Sequence, residues 1–368
     1  SEADFTYDQT TGAGTITTGF NDVVVRDQVS GLIRVWDPKI RPQFTQQWNL
    51  TLEYQLASGT SVSAAYVGNK ATHLVAPTDW NQPLPGPSNV APAQWASIQS
   101  RRPLFPVLPL VTNISGTATW GISNYNSLQV SMRQRMTKGL EFLASYTFSK
   151  ALTDNLGYYG SGGVATQSAY SYNQYAQREY NYGLAFFDNR HNFVWSGTYE
   201  LPVGKGRSLG TDMNSFLNAI VGGWNVTSIV QLRSGFPLTV TTSLNRSFQN
   251  PRGGQKPNLV GNPKPANQTI ENWINPAAFA APADGAFGNS PVGVMRAPGF
   301  ANWDFGVGKK FQVTENNFFD FRAEFFNFTN HPSFAPPGRN FNDLNTFGLI
   351  TGTVSPPRSI QFALKYIF

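Results

Sequence analysis

From Phe44 onward the even positions read Phe44, Gln46, Trp48, Leu50, Leu52, Tyr54 and Leu56, while the odd ones read Thr45, Gln47, Asn49, Thr51, Glu53 and Gln55. A period of two held over this length is a long strand with one apolar face. The last nine residues repeat the pattern, with Ile360, Phe362, Leu364, Tyr366 and Phe368 on one side and Gln361, Ala363 and Lys365 on the other. A free terminal strand frays, so an end this apolar is predicted to lie against another strand. It suits the closing strand of an outer-membrane barrel, where one face meets hydrocarbon and the other something wetter. A soluble sandwich also contains amphipathic strands, and the rest of the chain has to separate the two.

The connections separate them. After Phe44–Leu56 the tight turn Ala57-Ser-Gly-Thr60 leads back through Val62, Ala64 and Tyr66, and a Pro- and Asn-rich stretch without periodicity follows, from about residue 69 to 118. Leu128, Val130 and Met132 then lead through Thr137-Lys-Gly139 into Leu140, Phe142, Ala144, Tyr146 and Phe148, followed by a long loop over about 152–188. Phe193, Trp195, Tyr199 and Leu201 precede a medium connection with the turn signal Pro202-Val-Gly-Lys-Gly206, then a strand through Trp224, Val226, Val230 and Leu232, then the longest loop, about 234–300. A hairpin with outer faces Trp303, Phe305, Val307, Phe311 and Phe319, Phe321, Ala323, Phe325 turns around Thr314-Glu-Asn-Asn317, and a loop over about 329–356 leads to the terminal strand. Short connections thus fall at the pole of the C-terminus and long ones at the other. Outer-membrane barrels sort their turns in this way, short in the periplasm and long outside, whereas a soluble Greek key has no reason to.

Composition agrees. Only 13% of residues are charged and 14% are aromatic, against about 25% charged in soluble proteins. The mean hydropathy of −0.29 is that of a chain whose apolar residues alternate with polar ones. The sequence contains no apolar run near the roughly 18 residues that a spanning helix requires, so any spanning is by strands. Cysteine is absent, which excludes disulfides and thiolate metal sites. The net charge of +6 comes with isolated basic pairs such as Arg101-Arg102 and Lys309-Lys310, not with a basic run, so no nucleic-acid partner is expected. The start, Ser-Glu-Ala-Asp-Phe, lacks the charged and apolar regions of a secretion signal, so either such a signal has been removed or the chain is an internal piece of a longer precursor, the preferred reading.

The expected fold is therefore all-β, an antiparallel transmembrane barrel wall over residues 41–368 with about nine strands from Phe44. Residues 1–40 are weakly patterned; Val23–Val25 and Leu32–Val35 are candidates for one or two more strands, whereas Thr10–Gly19 does not resemble a first strand cut to meet the last.

Several stretches, in order, resemble the barrel region of the TonB-dependent receptor-like outer-membrane proteins of the Oar-like type. They include Pro42-Gln-Phe-Thr-Gln-Gln-Trp-Asn-Leu50, Ala65-Tyr-Val-Gly-Asn-Lys-Ala-Thr-His-Leu74, Asn124-Tyr-Asn-Ser-Leu-Gln-Val130, Ala144–Leu152, Phe187-Asp-Asn-Arg-His-Asn-Phe193, Gly223-Trp-Asn, Arg233-Ser-Gly-Phe-Pro237 and Glu324-Phe-Phe-Asn-Phe-Thr-Asn-His-Pro332. The resemblance implies a barrel of about 22 strands, of which this chain supplies roughly the C-terminal half, as a fragment or as one half completed by a second polypeptide. It further implies an N-terminal plug, a segment that engages TonB, a bacterial outer-membrane location, lipid as partner and active solute uptake. A structural or adhesive surface protein without transport is the alternative.

Among individual residues, Arg133, Arg135, Lys310, Asp320, Arg322, Glu324 and Lys365 are predicted to face the lumen; they read either as a wall contacting plug or solute or as the charge that a wet interior carries anyway. Trp48, Tyr54, Trp195, Tyr199, Trp224 and Trp303 share the outward phase with Ile360–Phe368 and are expected to form a lipid or interfacial girdle rather than ligand-stacking platforms. The three histidines, His73, His191 and His331, are far apart in sequence and read as rim or turn residues, not as a metal site. Nucleophile elbow, phosphate loop and zinc-helix motifs are all missing, so neither catalysis nor a cofactor is expected.

Overall fold

The structure, a computed structural model, describes residues 5–8, 13–16, 24–26, 33–87, 89–154, 180–249, 255–314 and 316–368. Nine long strands follow one another in chain order as an antiparallel meander: β1 (Phe44–Ala57), β2 (Thr60–Asp79), β3 (Ser115–Thr137), β4 (Leu140–Thr153), β5 (His191–Glu200), β6 (Trp224–Arg233), β7 (Phe300–Gln312), β8 (Phe318–Phe326) and β9 (Ser359–Ile367). β1 and β9 are the two edges of this wall, each without an outer neighbour among the described residues. The N-terminal candidates add no stave. Arg34–Trp36 pairs in parallel with the first residues of β3, and Val24–Arg26 belongs to a small sheet with Phe5–Asp8 and Ala13–Ile16. Val23, Leu32 and the remainder of Thr10–Gly19 lie outside the described residues, as does most of the loop between β4 and β5.

The hairpin turns follow from local chemistry. Lys138 and Gly139 both have positive φ, 51° and 82°, the requirement of a two-residue type I′ turn whose twist matches the flanking strands. Between β7 and β8 the Val313 N–H donates to Asn317 O at 2.9 Å, and Glu315 at the tip lies outside the described residues. The connections Ser58–Gly59, Lys138–Gly139, 201–223 and 313–317 stand at one pole; those over 80–114, 154–190, 234–299 and 327–358 stand at the other. Both strands around the second connection outrun the expected loop of about 69–118: β2 continues to Asp79 and β3 starts at Ser115. At 20 and 23 residues they exceed the roughly 9–11 that cross a bilayer. Their outer ends lose apolar alternation because neither face there meets hydrocarbon, and the ladder persists through backbone pairing, interrupted by a bulge at His73, whose φ is 58°.

Register is in phase across the whole wall. Leu364, Phe321, Lys309 and Trp224 are successive cross-strand neighbours; so are Val230, Trp195, Ala144, Met132, Val62 and Tyr54. While Leu143, Ile229, Phe318 and Phe326 fall on one face, the other therefore gathers most of the large apolar side chains of the wall. They are not sandwiched: Leu50, Phe362 and Leu364 remain about two-thirds exposed. The principal buried apolar cluster lies elsewhere, in the long connections, where Leu238, Val240, Ile274, Phe279, Met295 and Phe347 pack together, with Phe279 set edge-on to Phe347. A wall bare on its apolar face and a core built from loops is the reverse of a soluble sandwich.

Candidate functional site: the polar face and its loop cap

The polar face is concave. A depression of about 770 Å³, most of whose lining belongs to this face, includes Arg133, Glu141, Ser196, Thr198, Asp304 and Glu324. Of the residues predicted to face inward, Arg133 stands opposite Ser61 and Leu143. Lys310, Asp320 and Lys365 form one rung across β7, β8 and β9. Arg322 lies 3.6 Å from Asp320, and Glu324 sits between Gly306 and Gln361. Arg135 falls in a register shift beside the first hairpin, its N–H on Gly59 O at 2.7 Å, so strand alternation assigns it no face. Glu141 and Asp304 join the same concave surface. Their phase, between Leu140 and Phe142 and between Trp303 and Phe305, already announced it in the sequence.

The six predicted girdle aromatics share the opposite face with Ile360, Phe362, Leu364 and Tyr366 of β9, and Phe368, just past the strand, stacks on Tyr366. Trp48 lies over Gly68, its cross-strand neighbour; a Cβ there would come within 2.2 Å of the indole nitrogen, which ties the Gln-Trp-Asn and Val-Gly-Asn motifs to each other. Phe328, just past β8, packs against Trp303, Phe305 and Phe325 with ring centroids 5.0–5.8 Å apart. It is held there by Asn327, buried and in the left-handed conformation at φ 51°. The Asn327 side chain donates to the His331 and Pro356 carbonyls and accepts from the His331 N–H, so the Asn-Phe-Thr-Asn-His-Pro stretch is a corner that turns the chain out of the wall.

Among the described residues, an ion pair helps to fasten the cap over the long-loop pole to the wall. Asp188, fully buried, accepts from the Ala151 N–H at 2.6 Å and pairs with the Arg296 guanidinium. Arg296 also donates to the carbonyls of Asp188 and Gly235. Ser234 Oγ donates to Asn189 Oδ1 and accepts from the His191 N–H. The Phe-Asp-Asn-Arg-His and Arg-Ser-Gly-Phe-Pro motifs are thus two halves of one clamp between β4, β5 and β6. Local sequence gave no sign of Arg296, which comes from the far end of the longest loop. Inside the cap, Lys256 is almost wholly buried, 4.0 Å from the Tyr180 ring centroid and bonded to the Tyr180 carbonyl. Burial pushes its ammonium down to about 8 and raises the Tyr180 phenol.

The histidines do not gather. His191 and His331 line a shallow depression of about 520 Å³ together with Trp273 and Arg233, but no carboxylate joins them, and His73 sits in the β2 bulge. Among the described residues no three His, Asp or Glu side chains converge on a point that suits a metal ion.

Three solved structures are similar over about nine-tenths of this chain. The outer membrane transporter YddB from Escherichia coli is 10% identical over 91% of this chain and 34% of its own, with a TM-score of 0.44. The ferric-catecholate import receptor Fiu from K12 E. coli is 11% identical over 89% of this chain and 28% of its own, with a TM-score of 0.42. The ferric preacinetobactin receptor BauA from Acinetobacter baumannii is 12% identical over 89% and 30%, with a TM-score of 0.40. The chain thus spans about a third of the length of these proteins. No curated protein matches it. The family model of the outer membrane beta barrel domain matches residues 1–361. With its in-phase meander, its pole-sorted connections and this match over nearly its whole length, the chain belongs to the outer membrane beta barrel domain family of the bacterial outer membrane.

Proposed function

We propose that this chain is wall and solute-capturing cap of a TonB-dependent transporter, its aromatic face in lipid and its concave polar face lining the lumen. The observation that carries the reading is the packed cap. Loops that serve only to join strands have no need of a hydrophobic core and a buried ion pair, whereas a receptor that selects a solute needs loops of fixed shape above its lumen. The long-loop pole is then extracellular and the short-turn pole periplasmic. The carboxylates Glu141, Asp304 and Glu324, with Arg133, supply the inner wall with groups that contact a plug or a passing solute. The remaining wall and plug come from the same precursor or from a second chain, and β1 and β9 are the edges they pair with, since an unpaired strand edge in hydrocarbon forfeits a row of hydrogen bonds. The proposed role is not enzymatic.

The test is uptake by cells carrying the full-length protein, with and without residues 234–299 and with and without the TonB system. Loss of solute uptake on either deletion, with the protein still in the outer membrane, supports transport. Unchanged uptake together with loss of cell-to-cell or surface adhesion replaces it with the adhesive reading.

A further inference from the structure

The connection between β5 and β6 carries a short helix, α1 (Ser215–Val221), that a periplasmic turn does not require. Asn214 caps it, accepting from the Leu217 N–H at 2.8 Å. Asn218 faces the turn and accepts the Lys205 N–H at 2.7 Å. The opposite side presents Phe216, Leu217, Ile220 and Val221, the i, i+1, i+4, i+5 pattern of one helical face, and these side chains are 74%, 47%, 52% and 41% exposed. Four large apolar residues on seven positions, left this open by the described residues, call for a covering.

What covers them is fixed by where the helix is fastened. Lys309 lies on the aromatic face of the wall, between Trp224 and Phe321, where strand alternation asks for an apolar residue. Its ammonium donates to the carbonyls of Ala219 and Ile220 at 2.6 and 3.1 Å and lies 4.9–5.4 Å from the ring centroids of Phe311 and Trp224. Trp224 Nε1 donates to the Ile220 carbonyl at 2.9 Å. The otherwise unpaired carbonyls at the end of α1 are thereby tied to the outside of the wall, three residues from the end of β7 at Gln312. The plug and the missing staves cannot reach this place. The plug would lie on the concave side, and α1 sits beside β5, β6 and β7, in the middle of the nine-strand order, away from both free edges.

We propose that α1 is an interfacial anchor that lies in the periplasmic leaflet, its Phe216–Val221 face among phospholipid acyl chains just below the headgroups. Lys309 is the peg that holds it at that depth. The proposal rests on the aromatic face being the lipid face, and the test separates the two. This chain has no cysteine, so, with any cysteine elsewhere in the full-length protein replaced by serine, single cysteines can be introduced at Phe216→Cys, Val230→Cys in mid-wall and Asp212→Cys in the same connection. Each is labelled with an environment-sensitive fluorophore in phosphatidylethanolamine/phosphatidylglycerol vesicles. Quenching is measured with spin labels near the glycerol, with spin labels at the acyl terminus, and with aqueous iodide. The expected result is severalfold stronger quenching at position 216 by the shallow label than by iodide, deep quenching at 230, and iodide quenching at 212. If 230 is quenched by the deep label but 216 only by iodide, the anchor is overturned and the wall reading stands. If 230 is also reached only by iodide, both fall.

Discussion

Asp188 and Arg296, 108 residues apart in the chain, form an ion pair whose carboxylate is completely shut off from solvent. Truncating one partner of such a pair leaves the other charge buried and uncompensated, at a cost of about 3–5 kcal/mol. Arg296→Ala is therefore expected to unfasten the cap while the strands stay formed. The measurement is limited proteolysis of the vesicle-embedded protein: cleavage within 234–299 speeds up, and the gel mobility of the unheated wall does not change. Equal resistance of variant and wild type would show that the loops hold their shape without the clamp.

Lys256 gives the cap a pH dependence with a definite sign. Its pKa falls from 10.5 in the unfolded chain to about 8 when buried, so between those values the unfolded state binds more protons and stability rises with pH. Below about 8 both states are protonated and the burial penalty is present in full, up to about 3 kcal/mol. Hydrogen exchange across residues 255–297 is expected to slow, beyond its intrinsic pH trend, from pH 8 to 10, and Lys256→Met to abolish that gain. A slope that survives in Lys256→Met would assign it to another group.

The two faces of β6 are predicted to differ sharply in their tolerance of charge. Val230→Arg puts a guanidinium on the aromatic face at mid-wall and Gln231→Arg one on the concave face, a single residue away. On the lipid face of a barrel an arginine costs about 2–4 kcal/mol near the midplane. Urea unfolding from vesicles should show that loss for position 230 and a much smaller one for 231. Equal losses would mean that the faces are not lipid and lumen.

Asn327→Ala removes the three hydrogen bonds of the corner after β8 and leaves a Cβ-bearing residue without a local side-chain bond in the left-handed region. A loss of about 2–3 kcal/mol is expected, with Phe328 released from Trp303. A red shift of tryptophan emission and an earlier thermal transition would report it. An unshifted transition would mean that the aromatic packing alone maintains the corner.

The wall was readable in the sequence because strand alternation is local: Phe44–Leu56 and Ile360–Phe368 display their faces with no knowledge of their neighbours. Turns such as Lys138-Gly139 were readable for the same reason. The cap was not. Its core joins Leu238, Ile274 and Phe347 through stretches without period, and its clamp joins motifs whose contact only the folded chain reveals. Lys309 gives no local signal of its role, because its phase contradicts its charge. The outer ends of β2 and β3 carry no strand pattern because, clear of hydrocarbon, a strand has no reason to alternate.

Those outer ends have a consequence for what meets the cell surface. At about 3.3 Å per residue, a strand of 23 residues tilted like a barrel stave rises some 20 Å beyond a hydrocarbon layer about 30 Å thick. With the long-loop pole outside, as proposed, the β2–β3 ribbon is a stilt that carries its loop above the headgroup layer, so a water-borne macromolecule can touch the summit of this molecule before it touches the membrane.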